Sequence, residues 1–135
     1  METNTLRNPP PVRQFSVLLA NRVGAMASLI RLLRGAGIDV IGLSLQDSRD
    51  ATVARLVVTD PDAAGQLFIE KGIAHTTCEL VVVELRQSAE DLLACLEQLM
   101  VAETNVDFAY SMMPCPGGKP LLAMHVEDHG FAVSV

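Results

Sequence analysis

With 135 residues, half of them apolar, 19% charged and 4% aromatic, the chain fits one compact domain or two small ones and excludes a large multidomain enzyme. Ten Lys plus Arg against sixteen Asp plus Glu leave a formal charge of -6, with no basic cluster to neutralise a phosphate backbone, so no nucleic acid partner is expected. The longest uncharged stretch, Phe108 to Gly118, is broken by Pro114 and Pro116 and falls short of the roughly 20 apolar residues that cross a bilayer, so no membrane partner is expected either.

The first residues, Met1-Glu2-Thr3-Asn4-Thr5-Leu6, have neither a basic nor an apolar region of a secretory signal, which points to the cytoplasm. Cys78, Cys95 and Cys115 are odd in number and form no Cys-x-x-Cys pair, so reduced thiols are expected rather than a disulfide framework or a zinc ribbon. Without Trp, the core must be built from Val, Leu, Ile, Ala and Met, and their spacing carries the fold information.

Asn8-Pro9-Pro10-Pro11 can neither pair in a sheet nor continue a helix, so residues 1–13 read as a mobile leader and order is expected from Gln14. Phe15 to Ala20 is a β-rich run. Met26, Leu29, Ile30 and Leu33 then recur at helical spacing, with Arg31 and Arg34 on the other face. Gly35 and Gly37 stop that helix. Ile38 to Leu45 reads as a second strand, turning through Gln46 to Asp50 into a third, Thr52 to Thr59. Asp60-Pro61-Asp62 supplies a capping carboxylate and a proline at the first helical position, Leu67 and Phe68 an apolar face, and Gly72 a stop. A fourth strand through Thr76 and Leu80 to Val83 completes the order βαββαβ. That order implies an α+β fold, an antiparallel sheet with two helices on one face in the ferredoxin-like arrangement.

The pattern then restarts. An offset of 66 places Leu80 on Gln14, Leu92 on Met26, Cys95-Leu96 on Leu29-Ile30, Leu99 on Leu33 and Asn105-Val106 on Asp39-Val40. Ser88 and Asp91 resemble a capping box for a third helix, and Phe108 to Met112 with Leu121 to Val126 form a further hairpin around Pro114 to Gly118. Two tandem modules are expected, residues 14–79 and 80–135, with the last strand of the first running into the first strand of the second. The second module is expected to be incomplete at its C-terminal end, because only seven residues follow Asp128, the counterpart of Asp60. A missing fourth strand would leave an edge that invites pairing with another chain.

The segment Asn21-Arg22-Val23-Gly24-Ala25-Met26-Ala27, followed after the helix by Gly35-Ala36-Gly37-Ile38-Asp39-Val40, resembles the ACT domain, a βαββαβ regulatory module that binds free amino acids. Asn21, Gly24 and Ala27 keep the usual pattern, whereas Val23 stands where Pro is usual and Asp39 where Asn is usual. The second module keeps Asn105 and the apolar frame, but its loop, Arg86 to Glu90, has neither Gly nor Pro. The resemblance implies a ligand at the seam of two modules, against Asn21, Arg22, Val23, Gly24, Ala25 and Met26, with Ile38, Asp39 and Val40 on the following strand and Asn105 as the matching position of the second module.

Elementary chemistry supports such a loop. A glycine at the first turn lets a ligand approach the backbone, and the unpaired N–H groups at the positive helix end suit a carboxylate. Asn21 can donate and accept, Asp39 can accept from an α-ammonium, and Val23, Met26 and Ile38 would wall a pocket for an apolar amino acid. Gly24 reads equally well as a tight turn and Asn21 as a plain helix cap. Glu90, the counterpart of Gly24, would repel an anion, so the first module is expected to carry the loop.

The resulting expectation is a non-enzymatic regulatory protein, without cofactor or metal, that binds a small free amino acid and works as a homodimer. One alternative is a regulatory subunit docking on a biosynthetic enzyme of the acetolactate synthase type. Another is a ferredoxin-like enzyme using Cys115, or His125 and His129; no base lies near Cys115 in sequence, and the His125-x-x-x-His129 spacing straddles a strand end.

Overall fold

The computed structural model describes residues 12–20, 24–47, 51–86, 89–113 and 120–126. The chain divides into two compact units, the first Arg13–Cys78 and the second built from Glu79 onward.

The first unit opens with strand β1, Val12–Ala20, followed by helix α1, Ala25–Gly35. The strand begins as soon as the prolines end, two residues ahead of the expected onset, and Arg13 is held by an ion pair to Asp62 at 3.0 Å. Strands β2, Val40–Asp47, and β3, Ala51–Val58, form a hairpin; of the expected turn, Gln46 to Asp50, the first two residues belong to β2 and residues 48–50 lie outside the described residues. β3 pairs antiparallel with both β1 and β2, which makes it the middle strand of the three. Helix α2, Pro61–Glu70, starts as its residues dictate: the Asp60 side chain accepts from the Ala63 N–H at 3.2 Å, and Pro61 takes the first position.

Phe15 and Val17 on β1, Leu33 on α1, Ala54 and Leu56 on β3, and Ala64 and Phe68 on α2 close the core of this unit with essentially no exposure. Alternate residues of the strands and the i, i+4 pairs of the helices thus meet in one layer, each large side chain contributing about 1.5 to 3 kcal/mol by leaving water. Phe15 and Phe68 pack edge to face with ring centres 5.3 Å apart, and the His75 ring completes the cluster at 5.3 Å from Phe68.

Strand β4, His75–Glu84, is unbroken across the boundary, as expected from the lack of turn residues there. In the second unit it pairs with β6, Leu121–Val126, which pairs in turn with β5, Val106–Met112. Helix α3, Ala89–Val101, covers this sheet through Leu99 and Cys95, against Val81, Val83, Met124 and Val126. The expected cap Ser88 and the Pro114 to Gly118 turn lie outside the described residues, as do residues 127–135.

The repeat holds at the level of single bonds. Where α1 ends, Gly37 adopts φ +78, its N–H donates to Arg34 O at 3.0 Å, and the Ile38 N–H donates to Leu33 O at 2.9 Å. Where α3 ends, Glu103 takes the same left-handed position with φ 57, its N–H donates to Met100 O, and the Thr104 N–H donates to Leu99 O, both at 3.0 Å.

Candidate functional site

Helix α1 starts from Gly24, its N-cap, with φ 89 and ψ -9. That left-handed geometry costs glycine nothing and other residues about 1 to 2 kcal/mol. Among the described residues, no heavy atom lies within 4 Å of where a Cβ would stand, so they leave this position uncrowded. The Gly24 carbonyl accepts from the Ser28 N–H at 2.9 Å, and the N–H groups ahead of Ser28 in the first turn have no intrahelical acceptor. No acidic side chain sits in that turn. In α3 the same turn holds Glu90 and Asp91, whose charges already meet the positive helix end. The two helix starts therefore differ in what they can accept, and only that of α1 leaves an anion unopposed.

Asp39 lies between the end of α1 and the start of β2. Its backbone is held on both sides by Thr59: the Asp39 N–H donates to Thr59 Oγ1 at 3.0 Å and the Thr59 N–H donates to Asp39 O at 2.9 Å. The carboxylate is left at the surface, 3.8 Å from Arg34 Nε. A carboxylate whose one ion-pair partner among the described residues is distant and solvent-exposed keeps acceptor sites for an ammonium group. Arg34 and Thr59 are the residues that the sequence reading did not single out. Neither has a sequence signal, since each reaches Asp39 only after the chain has reversed.

The expected apolar wall is placed differently. Ile38 precedes β2 rather than lying on it, and its side chain is 2% exposed within the core, drawn inward by the N–H bond that closes α1. It is a core residue, not a pocket wall. Met26 and Val40 are half-buried and pack against the same core, and Ala25 is half-buried at the helix start. Asn105 is exposed in the second unit, immediately before β5. Asn21, Arg22 and Val23 lie outside the described residues.

His125, one of the alternative catalytic candidates, sits on β6 with Nδ1 2.8 Å from Asp107 Oδ2 and its ring stacked on Phe108 at 5.1 Å. Cys115 and His129 lie outside the described residues. Among the described residues, no three His, Cys, Asp or Glu side chains are grouped so as to hold a metal ion, and no helix is long and apolar enough to cross a membrane.

Residues 11–132 match the protein family described as an ACT domain pair, which spans both units. The chain belongs to that family. No curated protein matches it in sequence. Among solved structures, this ACT domain pair is similar to protein BT0572 from Bacteroides thetaiotaomicron, with 18% identity, a TM-score of 0.82, and coverage of 91% of this chain and 84% of that one. It is also similar in fold to the ligand-free regulatory subunit of aspartate kinase from Thermus thermophilus, with 11% identity, a TM-score of 0.57, and coverage of 86% and 82%. The aspartokinase alpha and beta subunits give 12% identity, a TM-score of 0.55, and coverage of 84% and 81%. The fold shared with these structures is a tandem of ferredoxin-like units, as the ACT domain pair requires.

Proposed function

We propose that this ACT domain pair is a non-enzymatic regulator that binds one small free amino acid, and that of its two modules, residues 14–79 and 80–135, the first holds the ligand. The observation that supports this reading is the start of α1: a left-handed Gly24 that the described residues leave uncrowded, with no first-turn carboxylate to compete for the helix N–H groups. The α-carboxylate of the ligand sits on those N–H groups, and Asp39 accepts from its α-ammonium. Asn21, Arg22 and Val23, which precede Gly24 in sequence, belong to the proposed site, and the half-buried Met26 and Val40 supply apolar contact. Ligand occupancy is passed on through a change in association, in a protein that works as a homodimer in the cytoplasm.

The test is thermal unfolding of the purified chain against each of the twenty amino acids, repeated on Gly24→Asp. A ligand at about 100 times its dissociation constant adds roughly 2.7 kcal/mol to the folded state. One amino acid that raises the melting temperature of the wild type, with the response lost in Gly24→Asp, supports the reading. A wild type that responds to no amino acid, or a variant that responds undiminished, overturns it.

A further inference from the structure

The 66-residue repeat brings two helix faces into correspondence, and the two are opposite in character. On α3, Leu93, Leu96, Met100 and Val101 are exposed to 58%, 42%, 69% and 81%, a continuous apolar ridge along one side of the helix. Glu97 stands exposed within it. At the same offset, α1 presents Ala27, Ile30, Arg34 and Gly35 with Arg31 in the place of Glu97, and these five line a shallow open depression. At both ends of the ridge a large side chain thus stands where α1 has a small one, Leu93 for Ala27 and Val101 for Gly35, and between them an acid stands where α1 has a base.

From this complementarity we infer that the α3 ridge docks on the α1 depression of a second copy of the chain. Helices pack by setting ridges into grooves, and a face of Ala and Gly flanked by Arg is a groove of the right size and sign. In an antiparallel pairing centred on Arg31 of one copy and Glu97 of the other, Gly35 receives Leu93 and Ala27 receives Val101. A face that pairs with its own like is disfavoured, because two α3 ridges would bring Glu97 against Glu97, and two α1 faces would bring arginines together. The contact needs no bound amino acid and does not rest on the ligand reading above.

Sedimentation velocity on the full chain, from about 1 to 100 µM, tests it. The expected result is reversible association that Glu97→Arg and Arg31→Glu each weaken about tenfold and that the double reversal restores. Met100→Gln, at an exposed position, weakens it without altering the circular dichroism spectrum or the thermal midpoint. A chain that stays monomeric over the range overturns the inference, as does association indifferent to both single reversals. Association strengthened by Glu97→Arg overturns it too, since that marks a contact between two α3 ridges.

Discussion

Arg34 Nε lies 3.8 Å from Asp39 Oδ1 across the end of α1, with both side chains mostly exposed, at 78% and 63%. Such a pair contributes at most a few tenths of a kcal/mol to stability, because water screens it and two mobile side chains must be held. The backbone of Asp39 is fixed independently by Thr59. Asp39→Asn is therefore expected to move the unfolding midpoint in urea by less than about 0.5 kcal/mol while removing the charge offered to an α-ammonium. The check is paired: urea unfolding of the free protein, and the melting-temperature response to the amino acid that shifts the wild type. An unchanged response with unchanged stability would take Asp39 out of the site.

Glu103 occupies the left-handed position that Gly37 fills in the first unit, with φ 57 against 78. A side chain there carries strain of about 1 kcal/mol that glycine escapes, partly offset by the greater freedom glycine gives the unfolded chain. Glu103→Gly is expected to stabilise the protein by about 0.5 to 1 kcal/mol, read from chemical denaturation. Gly37→Ala, the converse change at a position with open space around its Cβ, is expected to destabilise by a similar amount. Opposite signs at the two positions would show that the repeat is energetic as well as geometric.

These paired helix ends explain how far the sequence could be read. Apolar periodicity within 10 residues is a local property, so α1, α2 and α3 and the hairpins are legible, and Asp60-Pro61 marks a helix start without outside help. The unbroken β4 follows from the absence of any turn residue between His75 and Glu84. The burial of Ile38 is not legible, because a helix that closes through the Ile38 N–H turns the side chain inward before the strand begins, and no alternation pattern records that step. The Arg34 to Asp39 pair and the Thr59 bonds arise only once the chain has turned back. The exposed ridge of α3 is illegible for another reason: its apolar residues satisfy helical spacing whether they face a core or water, and only the fold tells them apart.

Gly65 lies in the middle of α2, where glycine costs roughly 1 kcal/mol relative to alanine. A Cβ there would stand 3.7 Å from Phe15 Cε1, an ordinary contact rather than a clash. Gly65→Ala is expected to raise stability by about 0.5 to 1 kcal/mol, measured by thermal and urea unfolding. Phe68→Ala, three residues on, removes a ring with no exposure that packs edge to face on Phe15, and is expected to cost about 3 to 5 kcal/mol. A small loss on Phe68→Ala would mean that the unit can collapse around the missing ring.

Burial pushes the thiols of Cys78 and Cys95 above their ordinary 9.0; at Cys78 the nearby Arg55 guanidinium pulls partly the other way. Cys78 also receives a hydrogen bond from Gln14 Nε2, at 3.3 Å. Alkylation proceeds through the thiolate, so both residues should react with iodoacetamide more slowly than the same cysteines in the urea-unfolded chain, with Cys95, which has no such cation, the slower of the two. The sign of the linkage follows. A folded-state value raised above the unfolded one means that the folded form holds its proton longer, so this contribution to stability is complete below pH 9.0 and is lost as the pH rises through the raised folded values. The unfolding midpoint of the wild type should fall above that pH, and Cys78→Ser with Cys95→Ala should flatten the fall. Peptide mapping of the alkylated protein across the alkaline range reads both rates at once, and equal labelling of folded and unfolded chains would refute the burial argument.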